Sequence, residues 1–149
     1  MRTAARAIII LNGKLLVMHR EKFGKSYDTL PGGNVRGHET PVDALNRELV
    51  EEIQLQLSNP RLVFIEHAGH PYGDQYHYLC EYVSGEAHIL PGSEEDVLNR
   101  MGQNLHQPVW VDLKELPKRT FRTPELKGHI LTALKQGWPV APVEFHSRP

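Results

Sequence analysis

Three carboxylates, Glu48, Glu51 and Glu52, crowd the stretch TPVDALNRELVEEIQL between Thr40 and Leu55. On a helix each residue advances about 100°, so positions three and four apart share a face. The three glutamates therefore occupy one arc, beside an apolar stripe of Val42, Leu45, Leu49 and Ile53. Like charges at that spacing cost about 0.2–0.5 kcal/mol per pair. A helix kept only for stability would alternate signs, and Arg47 is the nearest compensation within this one. A hard divalent cation would relieve the repulsion, since Mg²⁺ takes oxygen from one or two carboxylates and keeps waters for a phosphate substrate. By themselves, three glutamates more often make a solvated acidic face.

The residues ahead of the helix point toward chemistry. Gly32-Gly33 lets the backbone adopt positive φ and lets a ligand or the following helix come close. A loop that precedes a helix also presents backbone N–H groups to an anion. Thr40 can cap the helix, Pro41 suits its first position and Asp43 completes a capping box.

The elements that must position this helix alternate in type. Residues 4–11 and 14–20 are apolar runs joined by Asn12-Gly13, a hairpin signal because a primed turn needs positive φ. Residues 21–34 read as a loop. Residues 61–68 and 76–83 read as strands around a polar HPYGDQ loop, with 86–90 as a further strand. A short helix capped by Ser93 is expected over 93–101, a strand over 107–113, and an amphipathic helix over 124–135 with Leu126, Ile130, Leu131 and Leu134 on one side. This order makes one α/β or α+β domain over residues 1–136. The tail 137–149, with three prolines, is expected to belong to that domain or to be partly flexible.

The run LPGGNVRGHETPVDALNRELVEEIQL resembles the signature of the Nudix hydrolase family, including its MutT-like members. That signature is Gly, five residues, Glu, seven residues, then Arg-Glu-aliphatic-x-Glu-Glu-x-Gly-aliphatic. Gly33, Glu39, Arg47, Glu48, Leu49, Glu51, Glu52 and Leu55 stand in register, and Leu30 to Gly33 supply the usual lead-in. One position departs, with Gln54 in place of the last glycine. That glycine sits where a helix ends in a left-handed conformation; a side chain there costs roughly 1 kcal/mol unless the helix continues. Glycine offers no ligand atom, so the change concerns helix termination and leaves the chemistry intact.

The resemblance implies an α/β/α sandwich with a mixed sheet. It also implies metal-dependent hydrolysis of a diphosphate linkage, as in a nucleoside diphosphate joined to another group, by water attack on phosphorus. Glu48, Glu51 and Glu52 would ligate Mg²⁺ or Mn²⁺, and Arg47 would hold a glutamate in orientation. Glu39 would fasten the loop to the helix or bind an additional metal, and Gly33 would bring backbone close to the site. Glu51 and Glu52 are the first candidates for the base, ahead of Glu94, Glu95 and Asp96 downstream. The alternative is a catalytically silent Nudix-fold nucleotide-binding or sensor module; loss of metal-binding glutamates marks such cases, and all three are kept here.

Outside the signature, Arg20, Lys22 and Lys25 are candidates for substrate phosphates or an ordinary basic loop, and Tyr27 and Phe23 for stacking on a base or for packing. His67, His70 and His77 suggest a metal cluster but lack a helix-borne two-histidine spacing. Trp110 is expected in the core, and Arg119 and Arg122, around Phe121, face either substrate or solvent.

Composition bounds the partners. With 149 residues, 17 Lys+Arg against 18 Asp+Glu, a net charge of -1 and a pI near 6.8, the chain has no broad basic surface for nucleic acid. A small nucleotide-like diphosphate fits better. The apolar run that ends at Leu11 is too short for a secretory segment or a membrane span. Cys80 is the only cysteine, so no internal disulfide forms, which suits a reducing, cytoplasmic setting. A homodimer is compatible with the sequence, and no pattern selects it.

Overall fold

The structure is a computed structural model and describes residues 2–87 and 104–149. It opens with the expected hairpin. Strand β1 (Thr3–Leu11) and strand β2 (Lys14–Lys22) meet at Asn12 and Gly13, both at positive φ (52° and 74°). Beyond the pairs Ile10–Leu15 and Leu11–Lys14 the two strands part company. β2 pairs with β3 (Lys25–Thr29) and β7 (Asn104–Asp112), both antiparallel. β1 pairs antiparallel with β4 (Gly32–Asn34) and parallel with β6 (Asp74–Ser84). β5 (Gln56–His67) follows antiparallel to β6, and β8 (Val143–His146) closes that edge parallel to β5. The sheet is therefore mixed, in the order β3-β2-β1-β6-β5-β8, with β4 on β1 and β7 on β2.

Among the described residues, two helices cover its opposite faces, and the period-two alternation of the strands shows why. Ala5, Ala7 and Ile9 of β1, with Leu16 and Met18 of β2, pack on Leu45, Leu49 and Ile53 of helix α1 (Pro41–Ile53). Ile8, Leu15 and Val17 point the other way, onto Leu126, Ile130 and Ala133 of helix α2 (Pro124–Gln136). The result is a single-domain α/β/α sandwich with two cores, and Trp110 packs at the margin of the α1 core.

Two expectations change. Residues 21–34 are not simply a loop, because 25–29 find backbone partners in β2 and 32–34 find them in β1. Gly32 makes the second pairing feasible: at φ 141°, a Cβ there would stand 2.1 Å from the carbonyl oxygen of Ala5. Residues 86 and 87 belong to no strand; the rest of the strand expected over 86–90, the helix expected over 93–101 and the acids Glu94, Glu95 and Asp96 lie outside the described residues.

Residues 137–149 add β8 to the sheet edge, and their aromatic side chains close the α2 core. Trp138 and Phe145 lie 6.1 and 6.2 Å from the Phe64 ring, and Phe145 stacks on His129 at 4.2 Å. No helix among the described residues is long and apolar enough to cross a membrane.

Candidate active site

Helix α1 starts and stops as its residues dictate. Thr40 Oγ1 accepts from the Asp43 N–H at 3.1 Å, and an Asp43 carboxylate oxygen accepts from the Thr40 N–H at 3.2 Å, a complete capping box. At the other end Gln54 is left-handed (φ 57°, ψ 40°). Its N–H bonds to the Val50 carbonyl, and the Leu55 N–H reaches back to Leu49. That is a Schellman-type stop, made here by a residue with a side chain. The helix does not run on past Ile53.

Between these ends, Arg47 gathers the site. Its Nε and one Nη donate to both oxygens of Glu39 (2.6 and 3.0 Å), a bidentate fork. The other Nη donates to Glu48 Oε1 at 3.0 Å, and the Asn34 carbonyl accepts a further bond at 3.1 Å. Glu39 also accepts from the Arg36 N–H at 2.8 Å. Hydrogen bonds from Arg47 hold the Glu39 carboxyl down to about 2, and the same pairing raises Arg47 further above its ordinary value. Glu39 is therefore the clasp between loop and helix.

Gly33 faces this cluster across β4. A Cβ built on it would stand 2.5 Å from both Cδ and Oε1 of Glu48, so only a glycine lets that carboxylate lie against the strand. Glu51 is exposed on the same helical face, and Glu52 follows one turn after Glu48. Among the described residues no three His, Cys, Asp or Glu side chains converge as a finished metal site. The donors nonetheless suit a hard divalent cation, because carboxylate oxygens are what Mg²⁺ and Mn²⁺ take. The glycine cradle also fixes Glu48 beside an open cavity.

That cavity, about 170 Å³, is lined by Arg6, Arg20, Gly33, Glu48 and His106 among others. A second cavity of about 80 Å³ shares Arg6, Arg20 and Thr29 with it and continues to Glu66, Tyr72, His77 and Arg122. Arg20 is thus beside the site, bonded to His106 Nε2 at 3.1 Å. Tyr27 is buried, with the Arg122 guanidinium 4.4 Å over its ring. Lys22 lies over the Phe23 ring at 5.8 Å and lines neither cavity, and Lys25 is exposed.

The two arginines around Phe121 separate. Arg119 donates twice to the buried Asp28 (2.7 and 2.9 Å), whose other neighbour is His19 Nδ1 at 2.8 Å, and so pins its loop to β3. Arg122 faces the second cavity. The histidines also separate: His67 pairs with Asp74, and His77 with Glu66, each at 2.8 Å. Cys80 is buried, and burial pushes its thiol up to about 12, so it packs as a small hydrophobe.

Sequence reading passed over Arg6, Glu66, His77 and Thr123 as a group. Arg6 is the one charge inside the apolar run of β1, which was a usable signal. Glu66 and Thr123, 57 residues apart, share a short hydrogen bond that nothing local announces.

The fold, the glycine-cradled glutamate and the arginine clasp together define a Nudix-type hydrolase. The family profile of the NUDIX domain matches residues 1–132, and the chain belongs to that family. Solved structures agree in fold. A MutT NUDIX hydrolase from Burkholderia pseudomallei is 24% identical with a TM-score of 0.65, over 85% of this chain and 94% of that one. An ADP-ribose pyrophosphatase from Streptococcus suis 89-1591 is 18% identical with a TM-score of 0.65, over 97% and 98%. A NUDIX hydrolase from Nitrosomonas europaea is 16% identical with a TM-score of 0.72, over 99% and 79%. No curated protein matches the chain.

Proposed function

We propose that this protein hydrolyses the diphosphate linkage of a small nucleoside diphosphate-X substrate by water attack on phosphorus. The observation that carries this is the placement of Glu48, cradled by Gly33 and held by Arg47, on the wall of a cavity that Arg6 and Arg20 also line. A carboxylate for a cation, Glu48, and guanidiniums for phosphate oxygens therefore face one space.

Mg²⁺ or Mn²⁺ held by Glu48, Glu51 and Glu52 would supply neutralisation of phosphate charge and a more acidic bound water. The protein's own residues do the rest. Arg20 and Arg6 bind phosphate oxygens and orient the linkage. Arg47 is a positioning residue that keeps Glu48 from swinging, and Glu39 keeps Arg47 in place. Glu51 or Glu52 takes the proton from the attacking water. A reducing, cytoplasmic setting suits the single buried thiol.

A product-resolved panel of ADP-ribose, nucleoside triphosphates, dinucleotides and nucleotide sugars, assayed with either metal, tests this. Hydrolysis of at least one compound to products cleaved within its diphosphate is expected. Replacing Glu51 or Glu52 with Gln is expected to lower kcat by about 10²-fold or more for the residue acting as base. Absence of product from every compound with both metals overturns the function, and full rates in both variants overturn the residue assignment alone.

A further inference from the structure

The second cavity is more basic than a diphosphate site alone requires. Arg6, Arg20 and Arg122 line it against one acidic side chain, Glu66, and Pro149 lines it too. The Glu66 carboxylate is already engaged: one oxygen bonds to His77 Nε2 at 2.8 Å and the other accepts from the Thr123 hydroxyl. The hydrogen bonds of the three guanidiniums, among the described residues, go to neutral groups. Arg6 donates to Gln75 Oε1 (3.2 Å) and the Leu30 carbonyl (3.3 Å), Arg20 bonds to His106 (3.1 Å), and Arg122 donates to the Tyr72 hydroxyl (3.2 Å).

Among the described residues, two buried polar atoms of lining side chains, Arg20 Nε and His77 Nδ1, have no hydrogen-bond partner. His77 itself is 2% exposed. The unpaired guanidinium N–H at Arg20 Nε, next to buried positive charge, is costly and is relieved by an anion with several acceptor oxygens; His77, whose Nε2 donates to Glu66, offers an acceptor at Nδ1. At about 80 Å³ the space is far below the roughly 300–1,000 Å³ of a pocket that encloses a whole ligand, so it suits a small terminal group. Arg6 and Arg20 border both cavities, whereas Arg122 belongs only to the second.

We infer that the second cavity is a subsite for an anionic substituent, a phosphomonoester or a carboxylate, carried by the substrate away from the diphosphate, with Arg122 as its selective contact. This rests on the proposal that a diphosphate occupies the first cavity, since the two share Arg6 and Arg20.

Two matched pairs separate the sources of the anion: UDP-glucose against UDP-glucuronate, which differ by a carboxylate, and dephospho-coenzyme A against coenzyme A, which differ by a phosphomonoester. Affinity is measured by calorimetry on the full chain in EDTA, so that it reports the protein's own groups, and turnover is measured separately with Mg²⁺ and Mn²⁺. In at least one pair the anionic member is expected to bind about 10–100-fold tighter, the range of a charge-assisted hydrogen bond. Arg122→Gln is expected to shrink that preference to less than about threefold, and Arg122→Lys to keep part of it. A preference in only one pair identifies the substituent.

A wild-type preference below about threefold in both pairs overturns the subsite, whatever the turnover. A preference without turnover of any compound leaves the subsite standing and sinks the hydrolase proposal. Should Arg122→Gln lose its thermal transition, Arg122→Lys carries the test. A preference that is the same in wild type and every folded variant overturns the role of Arg122.

Discussion

Gly33 and Glu48 lie so close that the smallest side chain on one would occupy the place of the other's carboxylate: a Cβ on Gly33 would fall 2.5 Å from Glu48 Oε1. The glycine is there for the approach and not for backbone freedom, since the left-handed positions of its loop are elsewhere, at Gly32 and Gly37.

Gly33→Ala is accordingly expected to act on catalysis more than on folding. The atoms it strikes belong to the tip of a flexible glutamate, which can move aside while β4 keeps its pairing with β1. A displacement of about 1 Å at a reacting centre costs on the order of 10²-fold in rate. Steady-state kinetics beside thermal melts check this: kcat falls by about that factor while Tm moves little.

Arg47→Lys is expected to be disruptive although the charge is kept. Arg47 makes four hydrogen bonds to three groups, Glu39, Glu48 and the Asn34 carbonyl. An ammonium cannot reproduce the planar fork to Glu39 while also reaching Glu48. Loss of such orienting contacts typically costs 10–100-fold in metal affinity or activity. Titration with Mn²⁺ and measurement of kcat separate the two effects, and wild-type values for both would refute the positioning role.

Glu39 gives the clasp a pH signature. Its carboxyl is held near 2 in the folded protein, below the roughly 4.3 of an unfolded glutamate. The stability it adds is therefore fully present above pH 4.3 and is lost as pH falls toward 2. Tm measured from pH 2 to 6 for wild type and Glu39→Gln is expected to differ most above pH 4.5 and to converge near pH 2. A constant difference across the range would show that the charge on Glu39 does not matter.

Gln54→Gly is expected to stabilise. Gln54 holds a left-handed conformation that costs a residue with a side chain about 1 kcal/mol, and glycine removes that cost. For a domain of this size Tm should rise by about 2–4 °C per kcal/mol, less whatever glycine adds to the entropy of the unfolded chain. Gln54 lines neither cavity, so kcat should stay at the wild-type value.

How much of this was legible beforehand follows the range of the interactions. Thr40, Pro41 and Asp43 start α1, and the spacing of Glu48, Glu51 and Glu52 puts them on one face, because a helix is written within three or four residues. Asn12-Gly13 declares its turn for the same reason. The pairing of 25–29 and 32–34 was hidden, since short polar and glycine-rich segments become strands only when a neighbouring backbone offers partners.

The sequence by itself determined the family signature, the helix that bears it and the alternation that sends β1 and β2 side chains into two cores. Tertiary structure alone decided that Glu39 clasps Arg47, that Arg119 serves Asp28 while Arg122 turns to a cavity, and that Arg6, Glu66, His77 and Thr123 meet. Those four come from β1, β5, β6 and the residue that caps α2, and only strand order and register set them side by side. A period of 3.6 or 2 is local and can be read along the chain; a convergence across three strands is a property of the sheet.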